Sequence, residues 1–174
     1  MANLAVTLDD RYIFDDGRVY LTGTQALVRL LLIQRRRDQQ AGLNTAGFVS
    51  GYRGSPMTVM DQELWRAKDH LKSHHVHFWP AVNEHMAATA LWGTQQVHYN
   101  NDANYDGVYG FWYGKGPGLD QSLDAVRQAN YHGTSKNGGV LVLAGDDPSM
   151  RSTVDAYHSE LLFEDLLMPV LYPA

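Results

Sequence analysis

The chain has 174 residues, about one domain's worth, enough to bury roughly 70% of its unfolded surface in a core. Its 14 basic and 19 acidic residues give a net charge of −5, so no basic excess collects a phosphate backbone and nucleic acid is not an expected partner. It has no cysteine, which excludes disulfides, thiolate catalysis and iron–sulfur ligation within this segment.

The opening residues lack a basic stretch followed by an apolar run, so they do not read as a secretory signal. No apolar run approaches the ~20 residues of a membrane span. The cytoplasm is the expected location.

Residues 1–21 read as an irregular or short-stranded lead-in, with Asp15-Asp16-Gly17 as a turn. A helix is predicted over 24–40, with Leu27, Leu30 and Leu31 on its buried stripe. Thr22 or Thr24 caps its start and Gly42 ends it. The basic run Arg35-Arg36-Arg37 falls near its end, where cations favour the dipole and nearby carbonyls. Thr45 to Ser50 reads as a buried strand, and Gly51 to Pro56 as a loop.

A helix over 57–72 follows, with Met60, Leu64, Ala67 and Leu71 on one face, then a strand from Val76 to Trp79. The next helix, 84–99, turns Ala87, Ala90, Leu91, Thr94 and Val97 inward. Val108 to Tyr113 reads as a strand, Gly114 to Gly118 as a loop, 119–132 as a helix and Val140 to Ala144 as a strand. A polar loop, a helix near 159–167 and a last strand starting at Pro169 complete the chain. Strands alternating with helices, each strand a short apolar run, predict an α/β fold. Its sheet is mostly parallel and doubly wound, with helices on both faces. Ligands on such sheets bind outside the carboxyl ends of the strands. That points to the polar, glycine-rich segments 51–56, 80–84, 114–118 and 145–153.

Within these segments Glu84 stands at a strand-to-helix junction, where a carboxylate also suits a helix start. Gly51, Gly54 and Pro56 constrain a turn in which Arg53 and Ser55 can hold a carboxylate. An ordinary βα turn is the plainer reading of the same residues. Ser55 lacks the glycine spacing of a nucleophile elbow, and Gly114 to Gly118 lacks the P-loop pattern. Asp146-Asp147-Pro148-Ser149 reads as a turn and cap before it reads as a metal site. His70 and His74 are spaced i, i+4, but without the glutamate of a His-Glu-x-x-His site they read as helix-end residues.

Several runs together are more specific than any one. They are Arg18-Val-Tyr-Leu-Thr-Gly-Thr-Gln-Ala-Leu-Val-Arg29, Ser50-Gly-Tyr-Arg-Gly-Ser-Pro56 and Pro80-Ala-Val-Asn-Glu-His-Met-Ala-Ala-Thr-Ala-Leu-Trp-Gly-Thr-Gln-Gln96. To these add Tyr113-Gly-Lys-Gly-Pro-Gly-Leu-Asp-Gln-Ser122 and Gly138-Gly-Val-Leu-Val-Leu-Ala-Gly-Asp-Asp-Pro148. From about residue 8 onward the chain resembles the bacterial indolepyruvate:ferredoxin oxidoreductases, which are thiamine-diphosphate-dependent 2-oxoacid enzymes.

The resemblance implies a lead-in over 1–21 and, over 22–174, most of a pyrimidine-binding domain, incomplete at its carboxyl end. It implies oxidative decarboxylation of aryl-pyruvates to acyl-coenzyme A, with ferredoxin as electron acceptor. Glu84 matches the glutamate that hydrogen-bonds N1′ of the aminopyrimidine and favours the tautomer that takes the C2 proton. A partly buried site is expected to raise its pKa. The resemblance further assigns Gly114, Gly116 and Gly118 to the cofactor, and Arg53 and Ser55 to the substrate carboxylate. Met57-Thr58-Val59-Met60 departs from the small, glycine-rich stretch of the family pattern, which bears on pocket shape. Mg²⁺, the diphosphate-holding Gly-Asp-Gly motif and the iron–sulfur clusters are expected in other domains, with a diphosphate-binding domain as partner and a dimer as the assembly. The alternative is a noncatalytic α/β module, derived from that enzyme, that binds a partner or an anion.

Overall fold

The structure, a computed structural model, describes residues 6–99 and 101–172. Four strands form one all-parallel sheet: β1 (Thr45–Gly51), β2 (Val76–Phe78), β3 (Gly107–Lys115) and β4 (Gly139–Gly145), in the order β2-β1-β3-β4. Among the described residues seven α-helices accompany them: α1 (Asp10–Ile13), α2 (Gly23–Gln40), α3 (Thr58–Arg66), α4 (Lys68–Ser73), α5 (Glu84–Thr94), α6 (Gly116–His132) and α7 (Ser159–Asp165). The fold class expected from the alternation is the one found.

The order explains the two layers. The chain steps from β1 outward to β2, then back past β1 to β3 and on to β4. Right-handed crossovers running in opposite directions put their helices on opposite faces. Side chains of Val49, Phe111 and Tyr113 pack with Val28, Leu31, Leu32, Met60, Leu64 and Leu71 from α2, α3 and α4. The alternate residues of the same strands, Phe48 and Trp112 among them, pack with Ala87, Ala88, Leu91, Leu119, Ala125 and Val126 from α5 and α6. The alternation of faces along each strand thus divides the core in two.

Helix α2 begins with a capping box: Thr22 Oγ1 accepts from Gln25 N at 3.3 Å, and the Gln25 side chain accepts from Thr22 N at 3.0 Å. It closes before Gly42, whose φ of 78° suits glycine. Its buried stripe is Val28, Leu31, Leu32 and Arg35, whereas Leu30, expected inside, is 43% exposed. Arg35 does not serve the dipole of its own helix. It is buried and donates to the Thr45 carbonyl and to Asn44 Oδ1, fixing the start of β1. Arg36 donates to the carbonyls of Tyr12 and Ile13 and pairs with Asp15 at 3.0 Å.

Several expected boundaries differ. The lead-in contains α1, whose Tyr12 is buried and hydrogen-bonded to Glu63 at 2.5 Å. The 57–72 helix is two helices that meet at Ala67, and it starts at Thr58 rather than directly after Pro56. The predicted 84–99 helix ends at Thr94, with a 3₁₀ turn at Val97–Tyr99, and buries Ala88 where Ala90 was expected. Pro169 to Tyr172 forms no strand in the described residues.

The largest difference lies at Gly114 to Gly118. There is no loop: β3 runs to Lys115 and α6 starts at Gly116. The cause is tertiary. Gly114 and Lys115 continue the ladder opposite Ala144 and Gly145, which overrides the loop preference of a local glycine run. Among the described residues no helix is long and apolar enough to cross a membrane.

Candidate functional site

In this strand order the connection from β1 runs to β2 on one side and that from β3 runs to β4 on the other, so the switch point, where open α/β sheets form their crevice, lies between the carboxyl ends of β1 and β3. Three segments surround that end: the 51–56 turn after β1, the β3–α6 junction, and the segment after β4. Helix α5, which packs across both β1 and β3, brings its first residue to the same place.

That first residue is Glu84. Asn83 fixes the helix start by accepting from Met86 N at 2.8 Å through its side chain. Trp112, buried on β3, donates its indole N–H to the Glu84 carbonyl at 3.1 Å. The helix end is therefore tied to the sheet, and the Glu84 side chain has little room to choose its direction. It lies against the β3–α6 junction. A Cβ at Gly118 would overlap Glu84 Cγ, Cδ and Oε1, and one at Gly114 would sit 2.8 Å from Glu84 Cγ. Two of the three predicted glycines thus make the bed for the carboxyl group. Gly116, the third, does not face Glu84; its bare Cα accommodates Tyr157 and Asp146 Oδ1.

Burial disfavours the charged carboxylate, so Glu84 titrates above the ordinary glutamate value. A hydrogen bond from its own backbone and the positive charge of Lys115 oppose that rise without cancelling it. A half-buried carboxyl at a helix N-terminus is ordinarily pulled the other way. The direction seen here is that of a group that holds its proton more tightly than an ordinary glutamate.

Arg53 and Ser55 are exposed on the 51–56 turn. Arg53 bears electrostatically on Tyr113, and Ser55 offers its carbonyl to Ser152 Oγ at 3.3 Å. The two residues lie on the same rim of the crevice as Lys115, whose Cδ is 4.0 Å from a Cβ built on Gly54. Lys115 itself was missed in the sequence because it stood among glycines read as a loop. The strand register opposite Gly145 is the signal that locates it.

The Asp146-Asp147 pair makes the turn and cap expected of it. Asp146 accepts from Ser159 N at 2.8 Å and Oγ at 2.7 Å, at the start of α7. Asp147 accepts from Ser152 N at 2.6 Å and Oγ at 3.0 Å. His70 and His74 lie far from this crevice in the fold, on α4 and its carboxyl end. Their ring nitrogens meet Asp9 Oδ1 at 3.3 Å and the His70 carbonyl at 2.8 Å.

A group with an aminopyrimidine ring fits the donor set in chemical terms. It needs one carboxyl able to hold a proton, which Glu84 supplies on its bed of Gly114 and Gly118. No protein-family model and no curated protein matches the sequence.

Proposed function

We propose that this chain supplies the pyrimidine-facing half of a thiamine diphosphate site. The enzyme is one that oxidatively decarboxylates 2-oxoacids of the aryl-pyruvate type, with coenzyme A and ferredoxin as its other partners. The observation that carries the reading is the Glu84 carboxyl. It is half-buried, raised in pKa by that burial, and laid on two glycines beside the switch point of a parallel sheet. The motif runs that resemble the indolepyruvate oxidoreductases supply the identity of the cofactor.

When bound, thiamine diphosphate supplies the electron sink for cleavage of the bond to the substrate carboxylate. The chain's own residues hold and move a proton. Glu84 would hold a proton toward the ring nitrogen N1′, and burial raises the pKa of its carboxyl above the ordinary glutamate value. Asn83 and Trp112 fix the backbone that carries it. Gly114 and Gly118 leave room for the Glu84 side chain that would meet the ring. Arg53 and Ser55 line the rim where an incoming carboxylate would be met, Arg53 through its guanidinium and Ser55 through its hydroxyl. The diphosphate and Mg²⁺ belong to the partner domain in this reading.

The test is exchange of the C2 proton of thiamine diphosphate for deuterium, followed by NMR. It is done on this chain assembled with its diphosphate-binding half. The expected outcome is exchange far faster than in free cofactor. Exchange at the free rate in a correctly assembled, cofactor-loaded protein overturns the reading.

A further inference from the structure

Helices α5 and α6 pack side by side over β3 and β4, and they leave a cavity of about 100 Å³ beneath them. Its walls are Ala88 and Leu91 from α5, Val126 and Ala129 from α6, and Trp112 and Val142 from the sheet. Met168, from the chain that follows α7, closes one side. None of the lining residues is charged. The cavity meets solvent beside Asn130 and Thr134, both of which are exposed. A space that is apolar within, uncharged throughout and wet only at its mouth rejects an ion and suits a neutral molecule.

Trp92 is the wall residue with an unmet need. Its ring stacks on His132, with centroids 5.3 Å apart and planes 29° apart. Its indole nitrogen is shut away from solvent and has no acceptor among the described residues. The other side-chain N–H groups around the cavity have partners. Trp112 donates to the Glu84 carbonyl at 3.1 Å. Gln95 donates to Thr94 Oγ1 at 2.9 Å and to the Val108 carbonyl at 3.0 Å, and Asn130 donates to the Leu166 carbonyl at 2.8 Å. A buried N–H without an acceptor destabilises a fold, and nearly all such groups find one. Trp92 lines the cavity, so an acceptor lodged there would end that deficit.

We infer that this cavity is a binding site for a small neutral molecule: an apolar ring or short chain of about five or six non-hydrogen atoms, carrying one carbonyl-type oxygen for the Trp92 N–H. The volume sets the size, since an apolar cavity of roughly 150 Å³ takes benzene and this one is smaller. The uncharged walls set the neutrality, because no group there repays the desolvation of an ion. The orphaned indole sets the oxygen, because a donor without a partner selects for an acceptor. The inference stands apart from the Glu84 carboxyl and does not rest on thiamine diphosphate.

The experiment uses the whole chain in solution with two probes of matched shape: cyclopentanone, and methylcyclopentane, which lacks the oxygen. Binding of each is titrated through the methyl signals of Leu91 and Val142, and the indole N–H signals are followed by nitrogen-15 NMR. Both probes should shift the methyl signals in a saturable way. Cyclopentanone alone should move the Trp92 indole N–H downfield, while Trp65 and Trp79, which do not line the cavity, stay unmoved. Trp92→Phe should weaken cyclopentanone by about fivefold to tenfold, one hydrogen bond's share, and methylcyclopentane by less than about twofold. Ala88→Leu, which fills the cavity from α5, should abolish binding of both. Should either variant fail to fold, the contrast between the two probes on the wild type decides. The inference is overturned by an absence of saturable methyl shifts, by a Trp92 signal that stays put at saturating ketone, by a Trp92→Phe effect equal on both probes, or by binding that survives Ala88→Leu.

Discussion

The Glu84 side chain rests on the bare Cα of Gly118, so closely that a Cβ there would overlap Glu84 Cγ, Cδ and Oε1. Gly118 lies in the first turn of α6, where alanine would ordinarily be the better residue by about 0.5–1 kcal/mol. Contact with Glu84 reverses that preference. Gly118→Ala should destabilise the fold by roughly 1–3 kcal/mol, the usual cost of forcing an extra carbon into a packed site. It should also displace the carboxyl and slow C2 exchange in the assembled enzyme.

Gly93 provides the internal control. It also lies in a helix, α5, but a Cβ there meets nothing within 4 Å. Gly93→Ala should therefore stabilise by about 0.5–1 kcal/mol, with C2 exchange unchanged. Chemical denaturation of both variants checks the pair. If Gly118→Ala behaved like Gly93→Ala, the close packing of Glu84 on the β3–α6 junction would be wrong.

The contrast between these glycines shows what could be read from the chain and what could not. A threonine cap at Thr22 or Thr24, a strand over 45–50 and the positions of Met60, Leu64, Ala67 and Leu71 inside the core are matters of local pattern, and they were legible; the choice of Thr22 and the extension of the strand to Gly51 were not. Glu84 at a helix start was legible too, as was the reason a carboxylate is tolerated there. The glycine run was misread as a loop because its need for small residues comes from distant side chains: Glu84, more than thirty positions upstream, at Gly118 and Gly114, and Tyr157 at Gly116. Lys115 shared that fate, since its partner Ser152 comes from another segment. Likewise α1 was hidden in the lead-in: four residues carry little periodicity, and Tyr12 owes its place to Glu63.

That Tyr12–Glu63 contact carries its own pH prediction. Burial pushes Glu63 upward, but hydrogen bonds from Tyr12 and Arg66 outweigh it, and the carboxyl titrates below the ordinary 4.5. A carboxylate lowered by folding stabilises the native state above its unfolded pKa, and that contribution is lost as pH falls through the lowered folded value. Stability should accordingly decline as pH drops below about 4.5, more steeply than in Tyr12→Phe, which removes the first of the two donors. At neutral pH Tyr12→Phe should cost roughly 1–3 kcal/mol, because it leaves a buried carboxylate short of a partner. Thermal melts between pH 3 and 7 test both halves, and identical acid limbs in the two proteins would contradict the assignment.

Glu84 should show the opposite sign. Its pKa is raised in the folded state, so the native protein binds the Glu84 proton more tightly than the unfolded chain does. Stability from this group is fully present below the ordinary value of 4.5 and is lost as pH rises through the raised folded value. At neutral pH the carboxylate is then a burden on the fold. Glu84→Gln, which keeps the shape and removes the charge, should raise thermal stability at neutral pH and leave it nearly unchanged in acid. The same substitution should slow C2 exchange in the assembled enzyme by roughly 10²–10⁴-fold, the usual loss when a positioned acid/base is removed. A carboxylate serving only the helix dipole predicts the reverse on both counts: a loss of about 0.3–1 kcal/mol at neutral pH and unaltered exchange. Greater stability with slower exchange is the signature of a group held for chemistry at a cost to the fold. Lower stability with normal exchange would reduce Glu84 to the start of α5.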